Sequence, residues 1–182
     1  MAIFTSRRER KLWGWALVVV VTIYSTLGLT GPAAEWLRSE GLIGVAFGAG
    51  ALLVLIAAAA LGAGARFGTA EVGVILGVVA VYLLAFVRLG TPEERTHLIE
   101  YGVVAVLAYS ALAERNRQTG RVPVPAVVAL GIAAVLGIVD EGIQGVMPSR
   151  VFDIRDIGFN VLAAVLALGA TLSFARARTA RT

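Results

Sequence analysis

Six apolar runs, each close to the length of a membrane-crossing helix, divide this chain and constrain its fold more than any other feature. They fall near residues 12–30, 42–63, 71–89, 97–113, 124–147 and 154–175, and each is bounded by charge, Gly or Pro. A hydrocarbon core about 30 Å thick is crossed by roughly 20 apolar residues in a helix. A closed barrel is the other way to satisfy backbone groups in lipid, but these runs are too long and too unalternating for strands. Composition points the same way. Of 182 residues, 58% are hydrophobic and 15% charged, and the mean hydropathy is +0.84. A soluble domain of this size has too much surface for its volume to hide so much apolar area in one core. The expected fold is therefore all-α, a polytopic membrane bundle of about six transmembrane helices.

The basic residues set the expected orientation. With the N-terminus inside, the inner segments carry Arg7, Arg8, Arg10, Lys11, Arg66, Arg115, Arg117, Arg121, Arg176, Arg178 and Arg181. The outer segments carry only Arg38, Arg88, Arg95, Arg150 and Arg155. Cytoplasmic loops are the ones enriched in Lys and Arg, so both termini are expected in the cytoplasm. The first apolar run follows Arg7-Arg8-Glu9-Arg10-Lys11. It is longer than a signal-peptide core and lacks a small-residue cleavage site, which reads as a retained helix. The organisation expected is a basic cytoplasmic tail (1–11), three helices (12–89), a three-helix core (90–176) and a basic C-terminal tail (177–182). Gly44 and Gly48, and the alanines Ala163, Ala164, Ala167 and Ala170, suit close helix packing. Trp13, Trp15 and Trp36 lie near expected span ends, where indole rings commonly anchor.

Ionisable groups within the spans are almost absent from the first three and gather in the last three, and the spacing brings them together. Thr91-Pro92-Glu93-Glu94 reads as a capped helix start. His97, Glu100 and Tyr101 follow three and four residues apart, on one helical face. Asp140 and Gln144 share a face near the end of the fifth run, with Glu141 beside it. Asp153, Asp156 and Asn160 form one stripe at the start of the sixth, with Arg150 and Arg155 in or beside the connection. Under the orientation above, all three groups converge on the extracytoplasmic side. Ionisable side chains in lipid are costly and usually mark function.

These stretches resemble the VanZ-like membrane proteins. The resemblance covers residues 92–170 and rests on HLIEYGV at 97–103 and DEGIQGVMPSRVFDIRDIGFN at 140–160. The shared pattern runs Asp-Glu, Gln three residues after the Glu, Pro-x-Arg, two spaced Asp residues and an Asn. Many members carry His directly before that Gln, where this chain has Ile143, so a mechanism needing two imidazoles is in doubt. The resemblance implies a multi-pass protein of the bacterial cytoplasmic (inner) membrane, in a family whose founding member is associated with glycopeptide (teicoplanin) resistance. It supplies no reaction.

Three readings of the polar cluster stay open. Arg150, Arg155 and Arg95 could hold the headgroup of a lipid or lipid-linked envelope precursor by charge-assisted bonds, helped by the N-terminus of the sixth helix. The cluster could only tie helices together, with Asp153 as an N-cap, in an accessory subunit of a larger membrane complex. Or the carboxylates and His97 could hold a divalent cation for hydrolysis or transfer on a lipid phosphate. Membrane lipids and other membrane subunits are the expected partners. The basic residues sit as topology signals rather than as a nucleic-acid face. With no Cys, one His and Lys11 as the sole lysine, disulfides, bis-His haem and a retinal Schiff base are excluded, and no nucleotide motif is present. The cofactor is otherwise unspecified.

Overall fold

The computed structural model describes residues 3–42, 44–45, 49, 68–88, 92–148 and 151–179. Five long helices account for most of them, and none of the described residues is in a strand. They are α1 (Arg7–Ser39), α2 (Thr69–Arg88), α3 (Pro92–Thr119), α4 (Pro125–Gly145) and α5 (Ile154–Thr179). The protein is all-helical as expected. Most of the expected second span lies outside the described residues, and with it Gly48 and Arg66.

Local chemistry sets the helix ends. Ser6 caps α1 by accepting from Glu9 N–H at 3.0 Å, the first half of a Ser-x-x-Glu capping box. Proline occupies the first turn of α4, where its missing N–H has no helical partner to lose. Gly120 ends α3 with φ +64°, a conformation that side chains disfavour, while its N–H returns to the Asn116 carbonyl at 2.8 Å. Two helices overrun their apolar runs. α1 continues through Gly31 and Pro32 to Ser39, because proline removes one helical bond without forbidding the next turn, and Ala33, Ala34 and Glu35 are good helix formers. α3 continues through Glu114–Gln118, whose polar side chains pair rather than fray.

Side-chain pairs fix the directions of the helices. Glu9 meets Arg115, while Tyr24 and Tyr101 donate to the same carbonyl, that of Leu136. α1 and α3 are therefore antiparallel. Gly137 lies against Asn160 and Gly145 against Phe152, so α4 and α5 are antiparallel too. α3 packs on α1, α4 and α5, and α2 packs on α5. The core is built largely of alanine. Ala105, Ala108, Ala129, Ala133 and Ala164 are fully buried and, with Leu112 and Leu168, form one cluster. Small side chains let backbones approach closely, which supports helix association by dispersion contacts. Trp13 packs against this cluster rather than standing at the surface as expected. Trp15 and Trp36 are exposed.

The outer faces are apolar. Leu17, Val18 and Val21 on α1, Leu76 and Val79 on α2, and Val127, Val135, Ile138 and Val139 on α4 are all exposed. Among the described residues two helices, Pro125–Gly145 and Ile154–Ala177, are long and apolar enough to cross a membrane. At 1.5 Å per residue they span about 31 and 36 Å.

A polar seam closes one end. Thr5 donates its N–H and its hydroxyl to Glu9, each at 2.7 Å, and Arg115 reaches the other Glu9 oxygen at 2.6 Å. Ser6 donates to Glu114 at 3.1 Å, which also pairs with Arg117. Burial works against the charge of Glu9, but the Thr5 hydrogen bonds and Arg115 outweigh it and hold its carboxyl below the usual carboxylate range.

Candidate functional site

A second polar assembly lies at the opposite end, where α4 passes into α5. Its framework is the buried face of α4, on which Gly137, Asp140, Glu141 and Gln144 follow one another at helical spacing. Asp140 and Glu141 have no exposed surface, and Gln144 retains 2%. α3 contributes Tyr101, at 1% exposure, and α5 contributes Asn160, at 0%. Seven-residue spacing of Ala16 and Ile23 turns one face of α1 inward and brings Tyr24 to the same level.

Glu141 holds the connection together. One of its oxygens accepts from Gln144 Nε2 at 3.2 Å and the other from the backbone N–H of Asp153 at 3.0 Å. Asp153 in turn caps α5, its Oδ1 accepting from Arg155 N–H at 2.8 Å. A buried carboxylate that joins the last turn of one helix to the first residue before the next is a structural tie, since its removal would leave buried donors without partners.

Asp140 belongs to a different set. The Tyr101 hydroxyl donates to Leu136 O at 3.3 Å and lies within electrostatic reach of the Asp140 carboxyl. Tyr24 donates to the same carbonyl at 2.9 Å. Asp140 also acts electrostatically on Tyr24 and Glu100. Beneath this group, Asn160 lies so close to α4 that a Cβ on Gly137 would stand 2.9 Å from its Cβ and 3.0 Å from its Nδ2. Neither amide atom of Asn160 has a hydrogen-bond partner among the described residues. An unsatisfied buried polar group typically costs about 1–3 kcal/mol, so its presence calls for an explanation.

The sequence-derived residues distribute as follows. Tyr101, Asp140, Glu141, Gln144 and Asn160 are brought together inside, with Glu100 and Asp156 half-buried at the margin. Asp153 and Arg155 are exposed, so the Asp153–Asp156–Asn160 stripe runs from the surface into the core. Arg150 and Thr91 lie outside the described residues. His97 is within α3, and its side chain, like those of Glu93, Glu94 and Arg95, lies outside what is described. Among the described residues no three carboxylate or imidazole groups gather as a metal ion would need. Tyr24 and Gly137 were not anticipated. Tyr24 carries a weak signal, a hydroxyl within an apolar run that must find an acceptor once buried. Gly137 carries none in isolation.

No family model, curated protein or solved structure matches this chain.

Proposed function

We propose that this chain is a six-span membrane protein of the VanZ-like kind, with both termini in the cytoplasm of a bacterium and a site at the outer face that binds the headgroup of a lipid or lipid-linked envelope precursor. The observation that carries this reading is the burial of Asp140, Glu141, Gln144 and Asn160 together at the α4–α5 end. Charged and amide groups are not spent in an apolar bundle without return. The exposed aliphatic faces of α1, α2 and α4 support the lipid environment, since a water-soluble monomer rarely exposes such continuous apolar surface. Arg155, exposed at the first turn of α5, offers a cation at the positive end of a helix, where phosphate oxygens are favoured.

The use of Glu141 as a tie between α4 and Asp153 favours a second reading, in which the cluster only stabilises an accessory subunit. Titrating the purified chain with a fluorescent polyprenyl phosphate separates the two. Headgroup binding predicts saturable association that weakens about tenfold or more in Arg155→Ala, the loss expected of one charge-assisted bond. Equal association of the variant and the parent chain would leave the accessory reading standing.

A further inference from the structure

The polar seam leaves its end of the bundle with an excess of exposed positive charge. Its acids, Glu9 and Glu114, are buried and already meet Arg115 and Arg117. Arg7, Arg8, Arg10 and Lys11 on α1, Arg121 after α3 and Arg176 on α5 remain exposed. Among the described residues no ion pair engages Arg7, Arg10 or Lys11. We infer that the exposed stripe of α1 from Arg7 and Lys11 to Val21 binds one anionic phospholipid of the leaflet at this end, its phosphate at the cations and an acyl chain along the aliphatic part. This inference rests on the membrane reading but not on the headgroup site at the opposite end.

The register of α1 builds the stripe. Arg7, Lys11, Gly14, Val18 and Val21 follow at intervals of four, three, four and three residues, so they share one face of the helix, and every one is exposed. A Cβ on Gly14 meets nothing within 4 Å, so the face is open where charge gives way to hydrocarbon. Trp15, 62% exposed, stands beside that point, as interfacial indole rings do. From Lys11 to Val21 is about 15 Å of helix, the depth of one leaflet.

Arg7 also belongs to a cleft. With Arg10 it lines a space of about 340 Å³ whose other walls are Ile3, Phe4, Thr5 and Ser6. That leaves room for a phosphate diester beside two guanidinium groups, which hold phosphate oxygens by charge-assisted bonds.

The order of chemistry along one helix, cations and then aliphatics, is the order of head and tail in a phospholipid. An acidic peptide would engage the cations and leave Val18 and Val21 uncovered. A zwitterionic lipid brings its own cation to its phosphate, so the arginines and the lysine favour a lipid with net negative charge. Each cation at an anionic surface strengthens association about fivefold. Arg7 and Lys11 together therefore predict an anionic preference of about 5- to 25-fold, reduced by added salt.

The test is quenching of Trp15 fluorescence in the full chain, reconstituted in mixtures of phosphatidylglycerol and phosphatidylcholine with bromine on the acyl chains of one or the other. The signal of interest is the part that Trp15→Phe removes. Brominated phosphatidylglycerol should quench it at about 5- to 25-fold lower mole fraction than brominated phosphatidylcholine. Arg7→Gln with Lys11→Gln should bring the two lipids near parity. Both side chains are exposed, and should the double variant nevertheless not fold, Lys11→Gln alone should lower the preference about fivefold. Arg121→Gln, which removes a cation of the same end from outside the stripe, should leave the preference unchanged, as should Arg155→Ala at the opposite end. Equal quenching by the two lipids in the parent chain overturns the inference while leaving the membrane reading intact. So does a preference that survives loss of Arg7 and Lys11, or one that falls as far in Arg121→Gln or Arg155→Ala. Quenching by neither lipid overturns it together with the membrane reading.

Discussion

Replacing Gly137 with Ala tests the tightest contact in the bundle. The new Cβ would stand 2.9 Å from Asn160 Cβ, 3.0 Å from Nδ2 and 3.3 Å from Cγ, well inside the roughly 3.5–4.0 Å at which carbon atoms attract. Rotation of the Asn160 side chain moves Nδ2 and Cγ but not Cβ, which is fixed to the backbone. α4 and α5 must therefore separate by several tenths of an ångström, and overpacking of this kind costs about 1–3 kcal/mol. Gly131, on the exposed side of the same helix, is the control, because a Cβ there meets nothing within 4 Å. Both substitutions gain the helix propensity of alanine, so their difference isolates the contact. Gly137→Ala should melt about 2–12 °C below Gly131→Ala, at about 2–4 °C per kcal/mol for a chain this long. Intrinsic tryptophan fluorescence during heating in detergent reads the transition. The double variant Gly137→Ala, Asn160→Gly should recover most of the loss, whereas Gly137→Ala, Asn160→Ala should not. Equal melting of the two single variants, or rescue by Asn160→Ala as complete as by Asn160→Gly, would refute the reasoning.

Two further outcomes are expected. The carboxyl of Glu9 titrates below the usual carboxylate range, so its pairing with Arg115 stabilises the fold above the unfolded pKa and is lost as pH falls through the lower, folded value. Glu9→Gln should therefore lower the melting temperature near neutral pH, and the difference from the parent chain should shrink under strong acid; a pH-independent difference would contradict this. The chain has no cysteine, so single-cysteine labelling with an impermeant maleimide is free of background. Cysteines replacing Thr179 and Val151, both exposed, should react from the cytoplasmic and outer sides respectively, and reaction of both from one side would disprove the proposed topology.

The apolar runs gave α2, α4 and α5 to within a few residues, since these helices are little more than their hydrophobic spans. They gave too little of α3, because Glu114 to Gln118 reads as loop until Ser6 and Arg117 are known to pair with Glu114. The i, i+4 spacing made the shared face of Asp140 and Gln144 legible, being a local rule of helix geometry, and the reversal of direction between successive spans brought Asn160 to the same end. Tyr24 joins them across 112 residues of chain, and no local period announces so distant a partner. The fit of Asn160 over Gly137 is equally invisible, because it depends on the separation of two helices and not on either sequence alone.

The bond between Glu9 and Arg115 spans 106 residues, and this bears on biogenesis. At about 5–20 residues per second, a ribosome needs roughly 5–20 s to supply the arginine after the glutamate has emerged. For that interval the first helix holds an acid whose guanidinium partner does not yet exist. Its final seating must wait until α3 is made, so an early-synthesised segment becomes one of the last to lock in place.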